Sequence, residues 1–186
     1  MSEERTAIRD AVRDLCARFP DAYWRELDAI GEYPDAFVKA LTDAGWLGAL
    51  IPQAYGGSGL GIADAAAILE EINASGGNAA AAHAQMYTMG SVLRHGSDEQ
   101  KRRYLPPIAK GELRLQAFGV TEPDAGSETT RLRTVAVRTG DRYVINGQKV
   151  FISRAQHSDL MLLLARTTPY DELKDKTQGL SIFSSS

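Results

Sequence analysis

A short polar turn at residues 118–128 carries the residue types best suited to holding a planar, hydrogen-bonding ligand. Thr121 and Ser127 offer hydroxyls that can donate or accept hydrogen bonds. Pro123 fixes its own φ angle and has no N–H, and Gly126 lets another group approach the backbone closely. On residue chemistry alone, a turn rich in Thr, Pro, Gly and Ser is usually a plain connection, and that interpretation would be preferred.

The order of these residues resembles the flavin-binding signature of the acyl-CoA dehydrogenase family. That signature is an aromatic residue, a small or apolar pair, and then Thr-Glu-Pro-x-Ala-Gly-Ser with an acid after it, and this chain has FGVTEPDAGSE at 118–128. The resemblance continues over most of the chain, in YGGSGLG at 55–61, EEI at 70–72, GSDEQK at 96–101, YLP at 104–106, Gly111-Glu112, YVINGQK at 143–149 and FIS at 151–153.

The resemblance implies FAD as the cofactor and two segments that would hold it. The first would line the isoalloxazine ring and the ribityl chain, and it comprises Phe118, Val120, Thr121, Gly126 and Ser127. The second would cover the other side of the ring with Phe151, Ile152 and Ser153, where family members often carry Trp-x-Thr. Without the resemblance, Phe151 would be interpreted as an ordinary core aromatic on a strand. Glu122 is expected to shape the loop, not to abstract a proton.

The resemblance also places the acyl chain of the substrate beside the helix at 78–95. Ala79, Ala80 and His83 fall at positions that would line this slot, and Ser127 would contact the thioester arm. Taken alone, His83 is more typical of a helix histidine than of a catalytic one. His95 and His157 have no acid or cysteine at metal-ligand spacing, so no metal site is expected.

The reaction implied by the family is α,β-dehydrogenation of an acyl-CoA thioester to a trans-2-enoyl-CoA. A carboxylate removes the α-proton and the β-hydride passes to the flavin. In most members that base lies in a C-terminal four-helix domain, which is absent from this sequence, so no catalytic residue is assigned here and the 186-residue chain alone is expected to be inactive. Electron-transfer flavoprotein or a similar acceptor, and a homo-oligomer (dimer or tetramer) of the intact protein, are implied as partners.

Two alternatives remain open at this point. One is a flavin-dependent monooxygenase on the same scaffold, and the complete Thr-Glu-Pro-x-Ala-Gly-Ser motif favours the dehydrogenase over it only moderately. The other is a non-catalytic remnant that is retained for binding or assembly.

Composition narrows the class of protein. Apolar residues make up 44% and charged residues 24% of the chain, as in ordinary globular domains. The net charge of -3 gives no electrostatic reason to expect nucleic acid or an anionic membrane as a partner. No apolar run approaches the ~20 residues that span a bilayer. The one cysteine, Cys16, excludes an internal disulfide, is expected to be buried, and is consistent with a cytoplasmic location.

The pattern of predicted helices and strands divides the chain into an α+β arrangement, with a helical domain at 1–112 and a β domain at 113–186. Apolar residues at helical spacing predict five helices in the first part. The sequence Ser97-Asp98-Glu99-Gln100 predicts a capping box at the start of the fifth. Glycine-rich residues 50–61 are predicted to be a tight crossing between helices, and Glu70 and Glu71 to be solvated or helix-end charges.

The second part is predicted to be an incomplete, antiparallel, barrel-like sheet. Residues 133–138 alternate with the period of a strand, and 160–165 are a continuous apolar run. The dipeptide Asn146-Gly147 favours a two-residue hairpin turn between strands at 142–145 and 149–153.

Overall fold

The computed structural model describes residues 3–185, and these residues form two compact units. The first unit extends through Arg114 and the second begins at Leu115. All six α-helices found within residues 3–185 precede the first strand. The predicted α+β organisation is therefore confirmed. Within residues 3–185, no helix has both the length and the apolar character needed to cross a membrane.

The helical unit contains one helix more than the sequence pattern predicts. The helices are α1 Glu3–Cys16, α2 Asp21–Ile30, α3 Asp35–Asp43, α4 Ile62–Ala74, α5 Ala80–His95 and α6 Asp98–Ala109. The additional helix is α2, in which no residue is buried. It ends at Gly31, whose φ of 68° is left-handed and whose N–H bonds to Asp28 O.

The core of this unit is formed by the predicted apolar faces. Val12 of α1, Phe37 and Leu41 of α3, and Ile68 and Ile72 of α4 are all essentially inaccessible to solvent. Cys16 is buried among them, as predicted, and burial raises the pKa of its thiol.

Two local predictions in the helical unit are confirmed. Ser97 and Gln100 form the capping box, with Gln100 N donating to Ser97 Oγ at 3.2 Å and Ser97 N donating to Gln100 Oε1 at 2.8 Å. The loop at 50–61 is a tight crossing, because a Cβ on Gly57 would stand 2.2 Å from the Ile51 carbonyl oxygen.

The prediction for Glu71 is wrong. Its side chain is only 8% exposed and accepts hydrogen bonds from Arg13 Nε at 2.8 Å and Arg9 Nη1 at 3.5 Å. Glu70, the adjacent residue, does stay exposed and pairs with Arg9. Successive helical residues point in different directions, so α4 buries the Glu71 carboxylate against α1 and leaves that of Glu70 exposed, although both pair with arginines of α1.

The second unit is an open, mixed sheet of five strands. These are β1 Leu115–Gly119, β2 Val135–Thr139, β3 Arg142–Asn146, β4 Leu160–Arg166 and β5 Leu180–Ser185. The strand order is β1-β4-β2-β3, and β5 also pairs with β4. The antiparallel expectation holds for β2 with β3 and for β4 with β5, but β4 runs parallel to β1 and to β2. Long connections precede β4, and such connections permit parallel pairing.

The structure does not form the hairpin turn predicted at Asn146-Gly147. β2 and β3 pair from Val135↔Asn146 to Thr139↔Arg142, so Gly140 and Asp141 form the two-residue turn. Asn146 instead ends β3, and residues 149–153 are not a strand. Gly140 has a φ of 65°, which is the left-handed conformation that such turns require.

Candidate functional site

The first candidate segment, residues 118–127, leaves β1 and folds into a compact turn, which we call the Thr121 loop. Phe118 and Gly119 are the last residues of β1. Glu122 and Ala125 then close the turn reciprocally, with Glu122 N to Ala125 O at 3.0 Å and Ala125 N to Glu122 O at 3.2 Å. The turn therefore has a backbone conformation that its own hydrogen bonds define.

Glu122 anchors this loop from inside the unit. Its carboxylate accepts the amide N–H groups of Arg133 at 2.5 Å and Thr134 at 3.0 Å, and the Lys149 ammonium at 2.8 Å. Burial raises the pKa of Glu122, but the hydrogen bonds from Arg133, Lys149 and Thr134 outweigh burial and lower the pKa to about 2. A carboxylate held so firmly in its ionised form is an anchor and a poor proton acceptor. This geometry agrees with the expectation that Glu122 shapes the loop.

The second candidate segment is fastened directly to the first. Lys149 Nζ donates to the Val120 carbonyl at 2.9 Å, and Val150 N donates to the Thr121 carbonyl at 2.9 Å. Two consecutive residues of one segment thus bind two consecutive carbonyls of the other. The structure brings together two regions that are about thirty residues apart in the sequence.

Residues 150–154, which we call the Phe151 turn, present an aromatic ring to the surface. Phe151 is 91% exposed, so its interpretation as an ordinary core aromatic is wrong. Phe151 and Arg154 have φ angles of 58° and 60°, the left-handed region that non-glycine residues rarely occupy. Ile152 between them is half-buried and Ser153 is exposed. An exposed aromatic on a strained backbone is typical of a contact surface for a ligand.

The remaining groups of the Thr121 loop are also accessible. Phe118, Val120 and Thr121 are half-buried, and Gly126 and Ser127 are exposed. A Cβ built on Gly126 meets no other atom within 4 Å, so open space lies beside this backbone. The loop and the turn together offer hydroxyls, backbone groups and an aromatic ring. This set of groups fits the mixed apolar and hydrogen-bonding character of a flavin.

The candidate substrate residues lie in the helical unit, at and near the start of α5. Ala79 is buried in the core of that unit, Ala80 is half-buried and His83 is exposed. The His83 ring meets the Tyr87 ring edge-on, with centroids 5.2 Å apart. Tyr87 also borders an apolar cleft of about 570 Å³ that Leu50, Ile62 and Met86 help to line.

Two residues described above, Lys149 and Tyr87, were not singled out from the sequence. Lys149 stands in an alternating segment where a lysine resembles a solvated strand residue, and only its distant partners show that it is buried. Tyr87 follows His83 by four residues, which is the spacing of helix neighbours, and this was the available signal.

Comparison with known proteins identifies the family to which this chain belongs. Residues 2–112 match the sequence model of the acyl-CoA dehydrogenase N-terminal domain, and residues 117–184 match that of the middle domain. The chain therefore belongs to the acyl-CoA dehydrogenase family, a family of FAD-dependent enzymes.

Individual proteins agree with this assignment. Acyl-CoA dehydrogenase FadE12 of Mycobacterium tuberculosis is 35% identical over 89% of this chain and 43% of its own length. An acyl-CoA dehydrogenase from Geobacillus kaustophilus has a similar fold, with a TM-score of 0.88 and 29% identity over all of this chain and 48% of its own. An FAD complex of PigA matches with a TM-score of 0.87 and 25% identity over 99% of this chain and 48% of its own. This chain spans about half the length of the relatives it matches.

Proposed function

We propose that the protein is a flavin-dependent oxidoreductase that dehydrogenates an acyl-CoA thioester to a trans-2-enoyl-CoA. The observation that carries the proposal is the hydrogen bond from Val150 N to the Thr121 carbonyl, at 2.9 Å. This bond joins the only two segments that the family resemblance assigns to the flavin. Bound FAD would supply the redox chemistry by accepting the hydride that leaves the β-carbon.

The residues of this chain would bind and orient the cofactor. Val120 and Thr121 would offer backbone and hydroxyl groups to the ring, and the open space at Gly126 would admit the flavin against the main chain. The Phe151 ring, with Ile152 and Ser153, would cover the ring from the second segment. The PigA–FAD complex supports this assignment at the level of fold.

On the substrate side, we propose that Ser127 contacts the thioester arm and that the start of α5 lines the acyl slot. Ala80 and His83 have accessible surface for this role, and Ala79 would act from the core as part of the wall behind them. FadE12 is named an acyl-CoA dehydrogenase, which supports the substrate class and leaves the acyl group undefined.

The wider proposal follows the family. Residues 1–112 and 113–186 act as the helical and flavin-contacting domains, electrons pass to an electron-transfer flavoprotein or a similar acceptor, and the protein works as a homo-oligomer in the cytoplasm. The single cysteine is compatible with a reducing compartment.

Gly126→Val tests the cofactor assignment most directly. Its φ is not left-handed and its surroundings are open, so valine should leave the melting temperature of the FAD-free protein within about 2 °C. The same side chain should block the flavin and abolish FAD binding, measured as flavin content after purification and by fluorescence titration. Retention of FAD by this variant at the wild-type level would refute the site.

Thr121→Val and Ser127→Ala are expected to weaken FAD binding less than Gly126→Val does. Each removes one hydroxyl, worth about 0.5–1.5 kcal/mol net, so FAD affinity should fall about two- to tenfold. Thr139→Val, at the exposed end of β2, is the matched control and should bind FAD as the wild type does.

The reaction itself is tested by anaerobic flavin bleaching with acyl-CoAs of several chain lengths. Stoichiometric bleaching with formation of an enoyl-CoA is the outcome that the proposed reaction requires. A product that forms only when oxygen is admitted would favour the monooxygenase instead. FAD binding with neither reaction would indicate a non-catalytic flavin-binding protein.

A further inference from the structure

Among the lysines of the second unit, Lys149 has the most buried side chain. Both of its hydrogen-bond acceptors lie on the Thr121 loop. Its side chain is 8% exposed and its partner Glu122 is 5% exposed. Nζ lies 2.9 Å from the Val120 carbonyl and 2.8 Å from Glu122 Oε1. The lysine stem packs beside Gly119, where a Cβ would stand 3.5 Å from Lys149 Cγ.

Burying an ammonium costs free energy unless charged and polar partners compensate it, and an apolar side chain could fill the same volume. What the ammonium adds is direction, because its N–H groups point at fixed acceptors. One of these acceptors is the carbonyl of Val120, the residue before Thr121. The next residue along, Val150, donates to the next carbonyl, that of Thr121.

This double attachment fixes the first residue of the Phe151 turn, Val150, and the residue before it, Lys149. The Phe151 ring is exposed, so the core does not hold it in place. The left-handed backbone at Phe151 and Arg154 is unfavourable for these residue types and persists only when its flanks are fixed. On the N-terminal side, the fixed flank is Lys149-Val150.

We infer that Lys149 is a positioning residue, whose ammonium holds the Phe151 turn at a set distance from the Thr121 loop and thereby prepares both segments for the flavin. This role rests on the proposed function, because it concerns the same cofactor site. Lys149 does not itself contact the reacting atoms. It acts through the Val120 carbonyl and through the turn that follows it.

Lys149→Met tests the role, and a double variant separates positioning from stability. Methionine keeps the length of the stem but leaves the buried Glu122 carboxylate without its countercharge, so the single variant should melt early. Adding Glu122→Gln removes the uncompensated charge and should recover part of the melting temperature. Lys174→Met, an exposed lysine in the loop before β5, is the matched control.

Two readouts are needed on the double variant. The first is amide hydrogen exchange of the FAD-free protein, where exchange at Val150 should be about tenfold faster while the β2–β3 hairpin is unchanged. The second is FAD affinity with the visible circular dichroism of bound flavin, where affinity should fall about tenfold and the spectrum should change at saturation. The control should show neither effect, and Lys149→Arg should restore part of the affinity.

The outcomes are distinct. If FAD affinity recovers in step with the melting temperature in the double variant, Lys149 serves stability alone and the inference is overturned. Unchanged exchange at Val150 overturns it as well. If the wild-type protein does not bind FAD but exchange at Val150 responds as expected, the proposed function fails while the attachment by Lys149 stands.

Discussion

At the scale of single residues, Glu122 is the most constrained group in the candidate site. It occupies a turn in which Pro123 and Asp124 are exposed, yet its own carboxylate is buried and accepts three donors. Its charge joins the loop to the start of β2 and to Lys149. The loop therefore depends on the ionised form of one side chain.

Glu122→Gln should make the protein less stable in a pH-dependent way. The folded-state pKa of about 2 lies below the value of about 4.3 expected for the unfolded chain. Ionised Glu122 thus contributes up to roughly 3 kcal/mol above about pH 4.3, and that contribution is lost as pH falls toward 2. Urea unfolding of both proteins should show a difference in unfolding free energy that is largest at neutral pH and shrinks through this window.

Asp124→Asn is the control for that experiment. Asp124 is an exposed carboxylate in the same turn and forms a surface ion pair with Arg133 at 3.2 Å. Its replacement should change the free energy of unfolding by at most about 1 kcal/mol. A Glu122→Gln penalty of equal size at pH 3 and pH 7 would mean that the charge of Glu122 is not what holds the loop.

At the scale of elements, two glycines of the second unit show why the hairpin turn lies at Gly140 and not at Gly147. Gly140 has a left-handed φ with no atom within 4 Å of an added Cβ, as a turn glycine should. Gly147 is needed for a different reason, since its Cβ would stand 2.2 Å from Thr134 Oγ1 and 2.6 Å from Thr134 Cα. The absence of a side chain at Gly147 thus allows the segment after β3 to approach Thr134 closely.

The two glycine-to-alanine substitutions should therefore differ in cost. Gly140→Ala should lower the free energy of unfolding by about 1 kcal/mol, the penalty for a left-handed alanine. Gly147→Ala should cost at least about 2 kcal/mol, because backbone atoms of Thr134 must move. Denaturant titrations of both variants check the order, and a larger penalty at Gly140 would show that the turn was assigned to the wrong glycine.

At the scale of the whole molecule, FAD should stabilise the native state by mass action. At a free FAD concentration about 100 times the dissociation constant, the free energy of unfolding should rise by about 2.7 kcal/mol. Far-UV circular dichroism with and without FAD measures this gain. Trp24 and Trp46, the two tryptophans of the chain, both lie in the helical unit, so their fluorescence follows that unit separately.

Gly126→Val supplies the comparison for this measurement. The variant should unfold at the wild-type temperature without FAD and should gain nothing when FAD is added. An equal gain in the variant and the wild type would place FAD elsewhere on the protein.

Features that depend on neighbours along the chain could be predicted from the amino-acid sequence. Helical periodicity, the Ser97–Gln100 capping box and the change from helices to strands all rest on contacts within about four residues or on repeats of a few residues. The Thr-Glu-Pro motif identified the family because its residues are consecutive. These features could be predicted before any contact between distant residues was known.

Contacts between residues that are distant in the sequence became known from the fold. The parallel pairing of β4, the burial of Glu71 against α1, and the attachment of Lys149 to Val120 each join residues that are 29 to 62 positions apart in the sequence. Whether a charged side chain is solvated or buried depends on the partners that folding brings to it, and a local pattern holds no information about them. The positions of Lys149 and the Phe151 ring therefore follow from the fold, although their identities follow from the sequence.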